Sequence, residues 1–314
     1  MKRFKAIVAL FCVLLTGLMG LTGCSTTEAV QTTGDSEIRF IDDSGVEISL
    51  SEPAKKVVSL YSAHTENLFS MGLDSEIIGV GTSDNYPEAV LEKEQFSYKD
   101  DPELLIAADP DVVIARTMIV ERYPDYVKAI EDAGIPVINL YCSKFDDFDN
   151  YITRLAMIVG KDAEGEALLE NFHSQIDEIQ KKGEGIDPRK TAYFESIGDK
   201  FKTVTQDSFA GKALTIIGLN NIAQDIESDG SATVVEFGEE NLLSKSNEID
   251  VYIAQEGTMN KLISVETIEA RPGFSQIKAV IEGELYIIDE KLISSATLRY
   301  LDGLKELQNK IYGV

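Results

Sequence analysis

The chain has 314 residues, with 54 Asp and Glu against 29 Lys and Arg, a formal net charge of −25, and 44% hydrophobic residues. That apolar share is enough for the core of one large or two medium domains, and so acidic a body repels polyanions, which excludes nucleic acid as a partner. Three Cys and two His cannot supply a dense disulfide framework or a His-rich cage for a bare divalent ion.

The first residues, Met1-Lys2-Arg3-Phe4-Lys5, are basic, and a mostly apolar run follows from Ala6 to Leu21. The run closes on Leu21-Thr22-Gly23-Cys24 before the polar Ser25-Thr26-Thr27. A basic start, a short apolar core and small residues at the cut mark a secretory signal, and the run is too short and one-sided for a spanning helix. The Leu-Thr-Gly-Cys end resembles the lipobox of bacterial lipoproteins. That resemblance implies removal of residues 1–23, a lipid on Cys24, and an extracytoplasmic protein anchored to the bacterial cell membrane. Several acyl chains, at roughly 0.8 kcal/mol per buried CH2, anchor stably. The removed segment holds three basic residues and no acid, so the remainder carries a net charge of −28. Cys12 lies in the signal and Cys24 is lipidated, so Cys142 is left without a disulfide partner.

Residues 24–37 read as a flexible polar tether. Order begins at Ile38: Ile38–Ile41 and Val46–Leu50 are short strands about an Asp42-Asp43-Ser44-Gly45 turn. Apolar, β-branched runs then alternate with helical patterns. Strands are expected at 57–61, 77–81, 111–115 and 136–141, and helices at 65–71, 102–108 and 123–133. Near-continuous apolar strands separated by helices predict a parallel sheet covered on both faces. From Phe148 the period is helical only, first to Val159 and then through Leu168, Phe172, Ile176 and Ile179 to Lys181-Lys182-Gly183, a helix end by charge and by glycine. The strand–helix rhythm restarts with strands at 191–195, 202–205, 250–254 and 285–289 and helices at 211–217 and 298–311. The predicted fold is α/β: an N-terminal lobe over 38–160, a connecting helix over 161–185 and a C-terminal lobe over 186–314. A weak repeat supports two like lobes. Glu103-Leu104-Leu105 leads to Asp111-Val112-Val113-Ile114-Ala115, and Glu240-Asn241-Leu242-Leu243 leads to Asp250-Val251-Tyr252-Ile253-Ala254.

Four stretches together resemble the substrate-binding proteins of ABC importers for iron–siderophore complexes, cobalamin and haem. They are Lys55–Leu60 with Glu66–Leu73, Ile77–Thr82, Glu103–Ala115 (the most specific) and Ser294–Leu307. The resemblance covers Ile38 to Tyr312. It implies two Rossmann-like lobes bridged by one long helix, with the ligand cleft between them and a small hinge motion. It also implies an ABC permease and its ATPase as partners of a monomeric carrier. Glu103 and Glu240 take the places of the acids that such proteins present to permease arginines, with Glu239 an alternative to Glu240. Charge-assisted pairing at two distant points fixes orientation.

Ligands of open α/β lobes sit beyond the carboxyl ends of the strands. That rule selects Tyr61, Ser62 and His64 after the first strand, Asn85 and Tyr86 after the second, Arg116 and Thr117 after the third, and Tyr141 after the fourth. In the second lobe it selects Glu195 and Gln255, and Arg299 lies in the closing segment. Arginines from both lobes with Tyr61 and Tyr86 suit a large anionic or aromatic metal chelate, a ferric siderophore first, then a corrinoid or haem, with a molybdate-type oxyanion open. No cofactor and no direct metal ligand is expected. The sequence holds no Gly-x-Ser-x-Gly elbow, Walker loop or Gly-x-Gly-x-x-Gly fingerprint, so no enzymatic activity is expected. Sensing rather than transport is a rival that sequence leaves open.

Overall fold

A computed structural model describes residues 37–226, 228 and 232–314. The signal segment, Cys24 and the tether up to residue 36 lie outside the described residues.

Strands β1 (Ile38–Ile41) and β2 (Glu47–Leu50) form an antiparallel hairpin. Its turn is held by Asp42, whose Oδ1 accepts from the backbone N of Ser44 and Val46 at 2.8 and 2.9 Å. Gly45, at φ +78°, takes the left-handed position that glycine occupies without a Cβ penalty.

The first lobe runs β3 (Val57–Ser59), α1 (Ser62–Ser70), β4 (Ile77–Gly81), β5 (Glu94–Phe96), α2 (Glu103–Ala107), β6 (Val112–Ala115), α3 (Thr117–Arg122), α4 (Pro124–Asp132) and β7 (Val137–Asn139). All five strands of its sheet are parallel, in the order β5-β4-β3-β6-β7. β3, β6 and β7 are buried along their whole length, which explains their unbroken apolar runs. The strand order reverses between β3 and β6, so a crevice opens where the loops after these two strands diverge.

Helices α5 (Phe148–Val159) and α6 (Asp162–Glu184) follow, divided at Gly160 in the left-handed region (φ +64°). The 23 residues of α6 span roughly 35 Å at 1.5 Å per residue. Asp162 and Glu164 in its first turn and Lys181 and Lys182 in its last complement the helix dipole.

The second lobe comprises β8 (Thr191–Glu195), β9 (Lys202–Val204), α7 (Phe209–Ile216), β10 (Asn220–Asn221), β11 (Val234–Glu236), α8 (Glu239–Ser244), β12 (Val251–Glu256), α9 (Val265–Glu269), α10 (Lys278–Glu282), β13 (Leu285–Asp289), α11 (Glu290–Ile293) and α12 (Tyr300–Tyr312). Its parallel sheet has the order β10-β8-β12-β13, and β9 and β11 pair as an antiparallel ribbon.

One apolar core runs through both lobes. It joins Leu68 and Tyr151 to Leu168, Phe172 and Ile176 of α6, and these to Phe209, Tyr300 and Leu304. Phe148 and Phe172 pack with centroids 4.5 Å apart and planes tilted by 44°, and Phe209 meets Tyr300 edge-on at 5.3 Å. Smaller clusters cover the other face of each sheet. α12 folds back on α6, where buried Gln308 donates its Nε2 to the carbonyl of Ile179 at 3.0 Å.

Elements of three to six residues were not predicted at β5, α3, β11 and α9 to α11. Fewer than two turns or alternations show no period. The strand expected over 57–61 stops at Ser59, because Tyr61 is the extended N-cap of α1.

Candidate functional site: the cleft between the lobes

The carboxyl ends of both sheets face a cleft of about 360 Å³. The first lobe contributes Tyr61, Ser62, Tyr98, Arg116, Met118 and Tyr141, and the second Ser196, Phe209, Gln255, Met259, Glu290 and Lys291.

Arg116 follows β6 as the extended N-cap of α3 (φ −106°, ψ 159°), which turns its side chain out of the sheet. Its guanidinium carbon lies 4.8 Å from the Tyr61 ring centre and 5.9 Å from that of Tyr141. The two ring centres are themselves 6.1 Å apart, so the guanidinium rests beside both rings in a triangle. Among the described residues no carboxylate forms an ion pair with Arg116. Burial pushes the Tyr61 phenol well above its ordinary value, so it remains a hydroxyl donor. Tyr141 is 40% exposed at the rim.

Lobe two faces this wall with amides, hydroxyls and a lysine. Gln255 is oriented by Ser294, whose Oγ donates to its Oε1 at 2.6 Å, while its Nε2 reaches the Ser196 Oγ at 3.2 Å. Lys291 crosses to the first lobe, its Nζ donating to the Ser83 carbonyl at 3.2 Å and to Asn85 Oδ1 at 2.9 Å.

The N-terminal hairpin supports the first wall. Asp43 Oδ2 accepts from the backbone N of Tyr141 at 2.6 Å, and its Oδ1 pairs with Arg154 at 2.7 Å. Asp42 Oδ2 accepts from the Asn139 N at 3.1 Å. Beneath Ser83 lies Asp84, 3% exposed, whose Oδ2 accepts from Thr65 Oγ1 at 2.6 Å. Burial is the largest influence on this carboxyl and lifts its pKa to about 6, against Thr65 and the nearby Lys291, which lower it.

Of the residues selected by the strand-end rule, Tyr61, Ser62, Arg116, Tyr141 and Gln255 line the cleft, and Asn85 touches it through Lys291. The others are placed elsewhere. His64 has no exposed surface and shares its Nδ1 with the Tyr151 hydroxyl at 2.8 Å. Burial depresses its pKa to about 3, so it is neutral at physiological pH. Thr117 turns its hydroxyl to Asn139 Oδ1 at 3.2 Å. Glu195 is 1% exposed and bound by Arg271, Tyr252 and Asn260. Arg299 makes a bidentate pair with buried Glu66 (2.9 and 2.7 Å) and lies 4.2 Å from the Tyr86 ring. Tyr86 and Arg299 therefore belong to a separate groove, shared with Asn171 and Gln175 of α6. The expectation of two cleft arginines gives way to Arg116 and Lys291, because Glu66 takes Arg299. Sequence reasoning missed Lys291, although it stands two residues beyond the end of β13 and the same rule selects it. Among the described residues no group of three or more His, Cys, Asp and Glu side chains converges on a metal position.

Glu103 opens α2, and Glu239 and Glu240 open α8; all three are exposed. Each helix leads into the next sheet strand, β6 or β12. Its first turn therefore lies toward the carboxyl ends of the strands, the side on which the cleft opens.

Two parallel-sheet lobes bridged by a helix, with polar and aromatic side chains converging between them, define a solute-binding protein. The chain belongs to the periplasmic binding protein family, which residues 57–292 match. It is similar to the ABC transporter substrate-binding lipoprotein YvrC of Bacillus subtilis, with 26% identity and 98% of each chain covered. It is also similar to the Fe(3+)-citrate-binding protein YfmC of the same organism, with 24% identity over 97% of this chain and 98% of that one. Among solved structures, a possible iron-binding periplasmic solute-binding protein of Staphylococcus epidermidis shares the fold with a TM-score of 0.72. It is 23% identical and covers 83% of this chain and 100% of its own.

Proposed function

We propose that the cleft captures an anionic metal chelate, a ferric siderophore or ferric carboxylate. The chain is the substrate-binding component of an ABC importer and hands this solute to a permease and its ATPase. The observation that carries the ligand class is Arg116, a guanidinium beside two tyrosines with no acid ion-pair partner among the described residues of a chain rich in acids. A buried-edge cation left unpaired in so acidic a protein is a receptor for an anion. The cleft volume of about 360 Å³ suits a compact chelate. A corrinoid needs the lobes to part. The likeness to an Fe(3+)-citrate-binding protein supports the same choice.

In this reading the lobes divide as 38–160 and 186–314 about a connecting helix over 161–185. Lipid on Cys24 holds a monomer at the outer face of the cell membrane, the protein binds without catalysing, and Glu103 and Glu240 dock on permease arginines. The likeness to a named lipoprotein supports the anchor, and the matched positions of the two acids support the docking.

The test is a thermal-shift and calorimetric panel on residues 25–314 with ferric citrate, a ferric catecholate, haem, cyanocobalamin and molybdate. Ligand binding to the folded state raises the melting temperature by mass action. The ferric chelates are expected to give the large shift, and Arg116→Ala to weaken them at least roughly tenfold while affecting a neutral ligand less. A shift with molybdate or cyanocobalamin alone overturns the ligand class. Equal losses for charged and neutral ligands show that Arg116 acts by shape.

A further inference from the structure

The second cation of the cleft is held unusually. Lys291 is the second residue of α11, its backbone N fixed by the Asp289 carboxylate at 2.8 Å. Its ammonium spans the lobes to meet two neutral oxygens, the Ser83 carbonyl and the Asn85 side-chain amide. Among the described residues no carboxylate lies within ion-pair distance of it. The adjacent Glu290 carboxyl packs instead on Gly257 at the end of β12. Lys291 therefore combines a cleft-lining position, a contact across the lobes and an acceptor weaker than any carboxylate.

We propose that Lys291 is a specificity-determining latch that exchanges the Asn85 amide oxygen for an anionic oxygen of the solute. An ammonium gains more Coulomb attraction from an anionic oxygen than from a neutral amide oxygen, so a solute anion displaces Asn85. The four-carbon stem lets the ammonium make this swing without moving the backbone. Arg116 stays packed beside its two rings. A preferred solute thus carries two separated anionic oxygens, one for a fixed guanidinium on the first lobe and one for a mobile ammonium on the second. A solute with a single anionic edge satisfies Arg116 and leaves Lys291 on Asn85. This inference rests on the anionic-chelate reading and adds the residue that selects among such chelates.

The experiment is calorimetric titration of residues 25–314 with ferric citrate at low and high salt, for wild type, Lys291→Gln, Lys291→Arg and Asn85→Ala. Lys291→Gln keeps a donor for Asn85 and removes the charge; it is expected to weaken binding roughly tenfold and to flatten the salt dependence. Lys291→Arg retains most of the affinity, which separates charge from folding. Asn85→Ala removes the competing acceptor and is expected to tighten binding a few-fold, a sign opposite to that of a direct ligand contact. An unchanged affinity in Lys291→Gln overturns the latch alone, as does a weakening in Asn85→Ala equal to that in Lys291→Gln. If wild type binds neither ferric citrate nor a ferric catecholate, the anionic-chelate reading falls and the latch with it.

Discussion

Asp84 sits under the 83–85 loop, hydrogen-bonded by Thr65, yet burial still lifts its pKa from 3.8 to about 6. Between those values the folded protein holds a proton that the unfolded chain has released. The stability this group contributes is therefore fully present below the lower value and is lost as pH rises through the upper one. Asp84→Asn keeps an acceptor for Thr65 and removes the titration. Denaturant unfolding of both proteins from about pH 7 down to about pH 4 is expected to show wild type gaining on the variant as pH falls. A constant difference between them would mean that folding leaves the Asp84 pKa unshifted. The strand-end rule brings attention to this loop and to Arg116 from sequence alone, because the carboxyl ends of parallel strands always face the crevice. It does not reveal which cation an acid will take. Glu66 and Arg299 are 233 positions apart, and Glu195 and Arg271 are 76 apart. Such pairings are settled only by tertiary packing, within the second lobe for Glu195 and between lobes for Arg299, which is why both read as ligand contacts while the structure gives them ion-pair partners.

The elements legible in sequence are those long enough to show a period. The inner strands β3, β6 and β12 and the helices α5, α6 and α12 stand out because each buries a whole strand or a clear stripe. The ribbon of β9 and β11 brings Val204 and Val234 to the cleft; the run 202–205 predicts β9, while the three residues of β11 leave no pattern. The stop signal at the end of α6 carries more than its sequence shows. Gly183 is buried, and a Cβ there would strike the backbone of Ile216 to Gly218 at the end of α7. Gly183→Ala is expected to cost about 1–3 kcal/mol by forcing α6 and α7 apart. Gly185, two residues on at φ −75° with ordinary contact distances, serves as the control. Its alanine variant is expected to melt near wild type. Equal melting temperatures for the two variants would show that α6 and α7 yield at no cost.

Over the whole molecule acids outnumber bases, 54 to 29, and two of the acids stand apart by placement. Glu103 and Glu240 open short helices in equivalent positions of the two lobes, and both are exposed. On the docking reading the double variant Glu103→Ala with Glu240→Ala retains its affinity for solute and loses most uptake through the importer, measured in cells or in proteoliposomes. Normal uptake by the double variant removes these residues from docking. The weak repeat around both glutamates was visible in sequence; the direction in which they face was not, since it depends on the crossover that leads each helix into β6 or β12.

The core that passes unbroken from Leu68 through Phe172 to Leu304 ties the two lobes into one body. Lobes that share an interior separate only at the expense of that interior, so their relative motion is small. On the docking reading, the spacing of Glu103 and Glu240 then barely registers whether the cleft is full. An importer that read only those two acids would meet the same face on an idle carrier as on a laden one, and idle copies would compete for the dock.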